Sequence, residues 1–347
     1  MAAPHCLVTG GSGFLGINLI RLLLQRGWAV RSLDIAPFDY PENPRVDSFL
    51  GDIRDARVVE KAMAGMTVVV HCAVALPLAS EAEILSTGVE GTRNLLGTAK
   101  HHGVQRFIFI SSTAVYGIPG EHPIREDEPL LGVGPYGCAK IDAERLCEDF
   151  RTQGQCISVL RPKSFVGPER LGAFELLYDW AFDGHGFPVL GSGDNIYQLL
   201  DVQDLCEVIF LCMTLAPDKV NDTFNVGAQH YGTLRQSFQA VLDRAGHRKR
   251  VVALPAAPAI WMLRLLEAMK LSPLYRWIYE SASHSSVVST EHLQSRTGFV
   301  SQYSNTDALV RNYDWYVAHR PEIQGRFGVT HRVPWRRGFL RLAKWLF

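Results

Sequence analysis

An α/β fold, a doubly wound parallel sheet with a smaller C-terminal region, is predicted by three observations. Short apolar runs alternate with segments of helical period through the first half of the chain, as parallel β-α-β units do. The runs are apolar almost throughout, as in "MTVVVHC", which suits strands covered on both faces. Between the first run and the first helical segment stands a glycine-spaced loop, "VTGGSGFLG".

The elements follow in order. Cys6–Val8 is the strand that feeds the glycine loop, and Leu15–Gln25 is the helix opening from it. Ala29–Leu33 is a strand ending at Asp34, Val58–Ala64 a helix, and Thr67–His71 the apolar strand quoted above. Ile84–His102 reads as one helix, Phe107–Ile110 as the strand leading into "ISSTAVYG", Ala139–Arg151 as a helix and Ile157–Leu160 as a strand. After Gly167 the rhythm breaks in a stretch rich in glycine and aromatics. Residues 1–167 are therefore assigned to the cofactor-binding domain, with 196–227 expected to return to its sheet through "VNDTFNVG". Residues 168–330 form mainly a substrate-binding region, and 331–347 a basic tail.

Composition narrows the class. The 347 residues allow one large domain or two closely packed ones. Hydrophobic residues make up 47% and charged residues 20%, the balance of a globular protein. The 35 basic side chains equal the 35 acidic ones, so no global field recruits nucleic acid. Seven cysteines without C-x-x-C or zinc-type spacing read as buried, reduced thiols of a cytoplasmic protein, and no metal site is expected. "MAAPH" enters "CLVTGG" directly, without the parts of a secretory signal. No apolar run is long enough to span a bilayer.

Gly10, Gly13 and Gly16 lie three residues apart between strand and helix. Glycines there permit a tight turn, close approach of backbone N–H groups to a pyrophosphate, and helix–strand packing. Asp34 ends the second strand at the distance expected of a ribose-binding carboxylate. No arginine follows it in "LDIAPF", which favours NAD over NADP. In "GDIRD", Asp52 and Ile53 are candidates for the adenine edge, through one hydrogen bond and one apolar contact. Taken alone, the same stretch reads as a helix cap supplied by Asp52 or Asp55.

"PYGCAK" sets Tyr136 four residues before Lys140. On a helix the two share a face, so a phenol and an ammonium can meet one ligand. A free tyrosine is a poor base at neutral pH, and a neighbouring cation favours its phenolate. Such a phenolate can take the proton of a substrate hydroxyl while a hydride leaves the carbinol carbon.

With "TGGSGFLG", "LD" at Asp34, "GDIRD", "HCAV", "ISSTAVYG", "PYGCAK" and "LRPKSFVGP", the chain resembles an extended short-chain dehydrogenase/reductase of the NAD-dependent epimerase/dehydratase family. The motifs cover roughly residues 5 to 168, and weaker similarity continues through "LLDVQDL" and "TGFVSQYSNTDALVRNYDWY". The resemblance implies a Rossmann-like sheet, bound NAD and a Ser/Thr–Tyr–Lys catalytic set. The set falls on Ser112, Tyr136 and Lys140, leaving Ser111 and Thr113 with strand-end or turn roles. The implied cofactor contacts are Gly10, Gly13, Phe14, Leu15, Gly16, Asp34, Asp52, Ile53, Ala73 and Val74, together with Tyr136 and Lys140. Relatives are often dimers, so a homodimer is expected.

The departures bear on chemistry. Dehydratases of the family carry Asp-Glu where this chain has Thr113 and Ala114, and neither of these can act as acid or base for removing water. Relatives that bind nucleotide sugars often carry asparagine at Ser164 and arginine near Tyr197. They also often have an Arg-Pro-Gly-Asp turn where "SASHSSVVS" stands here. Diphosphate recognition usually wants arginine or lysine; helix N–H groups, or Arg170 and Arg235, are the candidates to compensate. Gly88 replaces a frequent asparagine.

Two further segments carry alternatives. "PAAPAIWMLRLLEAMKLSPLYRWIY" reads either as a pocket lining for a hydrophobic alcohol or as an amphipathic helix against the sheet or a dimer face. In "PWRRGFLRLAKWLF", Trp335, Phe339, Leu342 and Leu346 share a helical face, with Arg336, Arg337, Arg341 and Lys344 around it. This suits either peripheral contact with the inner membrane surface or a terminal helix folded onto the protein. The expected activity is NAD-dependent hydride transfer at a carbinol carbon, first as an epimerase of a nucleotide sugar or similar polyol. The alternatives are a dehydrogenase/reductase of a hydrophobic alcohol, resembling the 3β-hydroxysteroid dehydrogenase branch, and a non-catalytic NAD-binding sensor.

Overall fold

The computed structural model describes residues 5–76, 79–117, 120, 122–132, 134–172, 174–269, 284–323 and 344–347. Its first half runs β1 (His5–Thr9), α1 (Phe14–Gln25), β2 (Ala29–Asp34), β3 (Val46–Leu50), α2 (Ala56–Met63) and β4 (Val68–His71). Then come α3 (Glu81–Leu85), a π-helical segment Ser86–Gly91, α4 (Thr92–His101), β5 (Arg106–Ile110), α5 (Gly134–Thr152) and β6 (Ile157–Pro162). Further on are β7 (Phe165–Val166), α6 (Phe174–Phe182), β8 (Phe187–Leu190), β9 (Leu200–Asp201), α7 (Val202–Thr214), α8 (Pro217–Val220) and β10 (Thr223–Val226). The order closes with α9 (Leu234–Ala245), β11 (Val251–Leu254), α10 (Ala256–Ala268) and helices at Glu291–Thr297 and Asn305–Ile323.

Seven strands form one parallel sheet in the order β10-β6-β5-β4-β1-β2-β3. The winding direction reverses between β1 and β4, and in such sheets ligands bind in the crevice beyond the carboxyl ends of the strands at that point. Alternation along each strand explains the continuous apolar runs. Cys6 and Val8, Val68 and Val70, and Ile108 and Ile110 enter one core with α1 and α7. Leu7, Val69, Phe107 and Phe109 enter the opposite core with α2, α4 and α5. A third core gathers α6, α9, β8 and the helix Asn305–Ile323 around Tyr178, Tyr313 and Tyr316.

Several expectations are corrected here. Ile84–His102 is not one regular helix, because the π-helical segment interrupts it. The cysteines are all free, but Cys138 is exposed and Cys72 and Cys156 are only partly buried. Along α10, Trp261 is 64% and Leu265 43% exposed, so this face does not pack on the sheet, while 270–279 of the same segment lie outside the described residues. Much of the basic tail, including Trp335, Arg336, Arg337, Phe339, Arg341 and Leu342, lies outside the described residues. Its end, Lys344–Leu346, is a short 3₁₀ turn held to the body by Lys344 Nζ on Asp183 (2.5 Å) and by Phe347 stacked on Trp180. Among the described residues no helix is long and apolar enough to cross a membrane.

Candidate functional site

The glycine loop is shaped by what its residues cannot carry. Gly10 has φ +70°, and a β-carbon there would lie 2.8 Å from the Ala73 nitrogen, so the loop after β1 rests on the backbone after β4. At Gly16 a β-carbon would lie 2.2 Å from the Gly10 carbonyl oxygen, which brings α1 against the loop. Gly13 is the N-cap of α1, whose first turn holds no acid, and the positive end of the helix dipole faces the crevice. Phe14 and Leu15 are both buried in that first turn. Gly11 falls outside the three-residue spacing. A β-carbon there would lie 2.1 Å from Ser32 Oγ, and the doublet in "TGGSG" is the signal that could have shown it.

Asp34, at the end of β2, accepts the Ser12 N–H on Oδ2 and the Ala36 N–H on Oδ1, both at 2.9 Å. The carboxylate thus ties the glycine loop to the strand end. In "GDIRD" the roles separate. Asp55 caps α2 by accepting from Arg57 N and Val58 N. Asp52 pairs with Arg54 at 2.5 Å, and that guanidinium holds its carboxyl below the usual range. Ile53 is buried against Gly91.

Ala73 and Val74 are half-buried after β4, and Ala73 N donates to Thr9 Oγ1 at 3.3 Å. Below them His71 bridges Thr9 Oγ1 (2.8 Å) and Thr92 Oγ1 (3.0 Å). Burial pulls this imidazole down to about 3, so it is a neutral strut between β1, β4 and α4.

"ISSTAVYG" divides its hydroxyls. Ser111 Oγ donates to Glu144. Ser112 is the N-cap of a 3₁₀ turn, Thr113–Tyr116, and its Oγ accepts from Ala114 N at 3.1 Å. Accepting that bond leaves the hydroxyl proton available for donation. Tyr116 is 1% exposed, and its OH contacts Asn225 Oδ1 and Arg161 Nη1, both at 2.7 Å. Burial pushes its phenol up to about 12, which removes it as a base.

Tyr136, Lys140 and Glu144 stand four residues apart and share one face of α5. Lys140 is 5% exposed and donates from Nζ to the Ile110 carbonyl at 2.7 Å. Its ammonium lies 4.7 Å from the Phe109 ring centre and 6.0 Å from that of the half-buried Tyr136. Burial is the largest influence on it and lowers it to about 8. Glu144 accepts from Ser111 and pairs with Arg161 at 2.6 Å. The helix bearing Tyr136 is therefore pinned at two heights to the end of β5, beside Ser112. Sequence reading missed Glu144 and Arg161. The second interval of four, Tyr136 to Lys140 to Glu144, was the available signal.

Gly88, in the π-helical segment, approaches α5. A β-carbon there would lie 3.2 Å from that of Ala139. Ser164 Oγ and Tyr197 OH are 3.3 Å apart. The two arginines expected to compensate are otherwise engaged. Arg235 donates to the carbonyls of Ser192 and Val251. Arg170 lies over the rings of Phe14 and Phe165. Lys163, which the sequence reading did not single out, is 3% exposed and lies beneath Ser286 and Tyr197.

Comparison with known proteins extends this geometry. A family model described as "NAD dependent epimerase/dehydratase family" matches residues 6–227. Uncharacterized protein y4nG of Sinorhizobium fredii is 31% identical over 341 residues, covering 97% of this chain and 84% of that one. A 3-beta-hydroxysteroid dehydrogenase of Mycolicibacterium neoaurum is 32% identical, but over 55% of this chain and 57% of its own. A dTDP-glucose 4,6-dehydratase of Streptomyces niveus is 28% identical over 90% of this chain and 93% of its own. Among solved structures, UDP-glucose 4-epimerase of Thermotoga maritima superposes with a TM-score of 0.76 at 22% identity, covering 91% of this chain and 99% of that one.

Proposed function

The chain belongs to the NAD-dependent epimerase/dehydratase family, and on that premise we propose that it epimerises a nucleotide sugar or similar polyol through Ser112, Tyr136 and Lys140. The observation that carries the reading is the face of α5 on which Lys140, fixed to the carbonyl of Ile110 two residues before Ser112, holds its ammonium beside Tyr136. The crevice beyond β1 and β4 fits a dinucleotide. Gly10 and Gly16 leave no room for side chains, α1 points its N-terminus there, and Asp34 stands at the end of β2 where a ribose would lie.

When bound, NAD supplies the acceptor and donor of hydride. Tyr136 takes the proton from the substrate hydroxyl on oxidation and returns it on reduction. Lys140 keeps a positive charge beside that phenol below about pH 8. Ser112 donates a hydrogen bond to the substrate oxygen and positions it for Tyr136. Asp34 accepts ribose hydroxyls and repels a 2′-phosphate, which favours NAD over NADP. Asp52 and Ile53 border the adenine end, and Ala73 and Val74 the cofactor's path across the loop after β4. Thr113 and Ala114 supply no acid or base for eliminating water, so the reading is epimerisation rather than the 4,6-dehydration named for the Streptomyces relative. The steroid-dehydrogenase relative supports the second reading, oxidation of a hydrophobic alcohol.

The assignment of 1–167 to cofactor, 168–330 mainly to substrate and 331–347 to the tail belongs to the same proposal, as does a cytoplasmic location. So do a second copy of the chain as partner and contact of the tail with the inner membrane surface. The exposed Trp261, Met262, Trp345 and Leu346 support an apolar contact of either kind. Tyr136→Phe tests the mechanism. It should still bind NAD and turn over at least about a hundredfold more slowly; unchanged turnover refutes the assignment.

A further inference from the structure

Lys163 follows β6 directly, in the strand next to the one that leads into Ser112. Its backbone N–H donates to the Val226 carbonyl at 2.8 Å, which fixes the residue at the carboxyl edge of the sheet. From there Nζ donates to Ser286 Oγ at 2.5 Å and lies 5.1 Å from the centre of the Tyr197 ring. The residue is 3% exposed. Among the described residues no carboxylate is ion-paired with it, and Ser286 Oγ is the side-chain hydrogen-bond partner of its ammonium. Arg161, two residues earlier, is by contrast paired with Glu144.

A buried ammonium with one hydroxyl partner is an incomplete arrangement. It carries three donors, and both its desolvation and its unfilled N–H groups disfavour the charged form. Burial, acting alone, pulls it down to about 7. An anionic oxygen beside it would fill those donors with charge-assisted bonds, which are shorter and stronger than neutral ones. The position matters as much as the charge. Tyr197 and the segment holding Ser286 are the two places where the sequence lacks the arginines that diphosphate binding would use, and Lys163 touches both.

We propose that Lys163 binds an anionic group of the substrate, a phosphate or a carboxylate, with Ser286 and Tyr197 holding the lysine in place. The proposal rests on the crevice being the substrate site of the reading above and narrows it. The substrate carries a negative charge close to the reacting carbinol end, which a neutral hydrophobic alcohol does not.

The test uses the full chain with saturating NAD, so that the glycine loop is occupied. Binding of pyrophosphate, glucuronate, UDP-glucose and UDP-glucuronic acid is measured by calorimetry for wild type, Lys163→Met and Lys163→Arg. At least one of the two simple anions should bind the wild type. Lys163→Met should weaken it about 10- to 100-fold, the range of a hydrogen bond to a charged group, and Lys163→Arg should keep part of the affinity. Selective loss of pyrophosphate assigns the charge to a diphosphate, and selective loss of glucuronate assigns it to a sugar acid. The NAD affinity of Lys163→Met should be unchanged. Should that variant not fold, Lys163→Gln, which removes the charge and keeps a polar end, is measured in its place. Failure of both anions to bind the wild type, or equal binding by the charge-removing variant, overturns the proposal. Anion binding lost in the variant without turnover of either nucleotide sugar keeps Lys163 and rejects the nucleotide-sugar reading. Turnover of UDP-glucose with unaltered affinity in the variant does the reverse.

Discussion

Replacing Lys140 by methionine keeps most of the side-chain length and removes the ammonium. In the wild type that ammonium is 5% exposed and donates to the Ile110 carbonyl at 2.7 Å. Burial is the largest influence on it, opposed by Cys72 and Glu144, and brings it from its ordinary 10.5 to about 8. A displacement of that size corresponds to about 3 kcal/mol against the charged form. Methionine removes this penalty but leaves the Ile110 carbonyl without its donor, which costs about 1–3 kcal/mol. At about pH 6.5 the variant should therefore lie within about 2 kcal/mol of the wild type, on the stable side. The folded group titrates below the unfolded one, so the wild-type penalty is complete below about pH 8 and fades as the pH rises toward 10.5. Between about pH 7 and about pH 10 the wild type should gain most of that 3 kcal/mol relative to the variant. Urea unfolding of both proteins across this range reads the difference directly. Turnover of the variant should fall at least about a hundredfold at every pH. Stability curves that run parallel with pH, or turnover within about threefold of wild type, would refute the role given to this lysine.

Two other substitutions probe neighbouring parts of the site. Asp34→Ala should weaken NADH binding by about tenfold or more, the scale of hydrogen bonds to a charged acceptor, and should narrow the preference over NADPH; fluorescence titration with both nucleotides checks this. Arg161→Met leaves Glu144 buried without its partner, and Tyr116 without a donor. Stability should drop by about 3–5 kcal/mol, the usual consequence of breaking a buried ion pair on one side; a shift of under about 1 kcal/mol in urea unfolding would contradict it.

What the sequence disclosed depended on the kind of constraint each residue obeys. The strands β1, β2, β4, β5 and β6 lie within two residues of the apolar runs, because a parallel strand covered on both faces needs apolar residues at every position. Edge strand β3 was not marked. Only Val46 is buried in "VDSFL", so no run stands out. Helix α5 begins at Gly134, five residues before the expected Ala139, because Pro135 is compatible with a first turn although Gly134, Pro135 and Gly137 look like breakers. The π-helical segment Ser86–Gly91 leaves no mark in a hydrophobic period. Contacts such as Arg161 with Glu144, or Lys163 with Ser286, join residues of three separate segments. The interval of four marks Glu144 on its helix face, but no local pattern announces which residue each of these side chains meets.

The same distinction explains why one half of the crevice reads as a motif and the other does not. In the glycine loop the requirement falls on the backbone: only glycine fits position 10, at φ +70° and with a β-carbon meeting the Ala73 nitrogen at 2.8 Å, and only glycine lets position 16 approach the Gly10 carbonyl. Such a demand admits one residue type at one position. A demand for charge is looser, because a long flexible lysine can deliver its ammonium to a given point from several strand ends. Here neither Tyr197 nor the Ser286 segment supplies the cation, yet one reaches both of them from the end of β6. Arginine is absent from both fixed positions, whereas the folded chain brings the buried amine of Lys163 against Tyr197 and Ser286. Substrate class in such a fold is therefore better argued from the side chains that folding brings together than from the residues at any single motif.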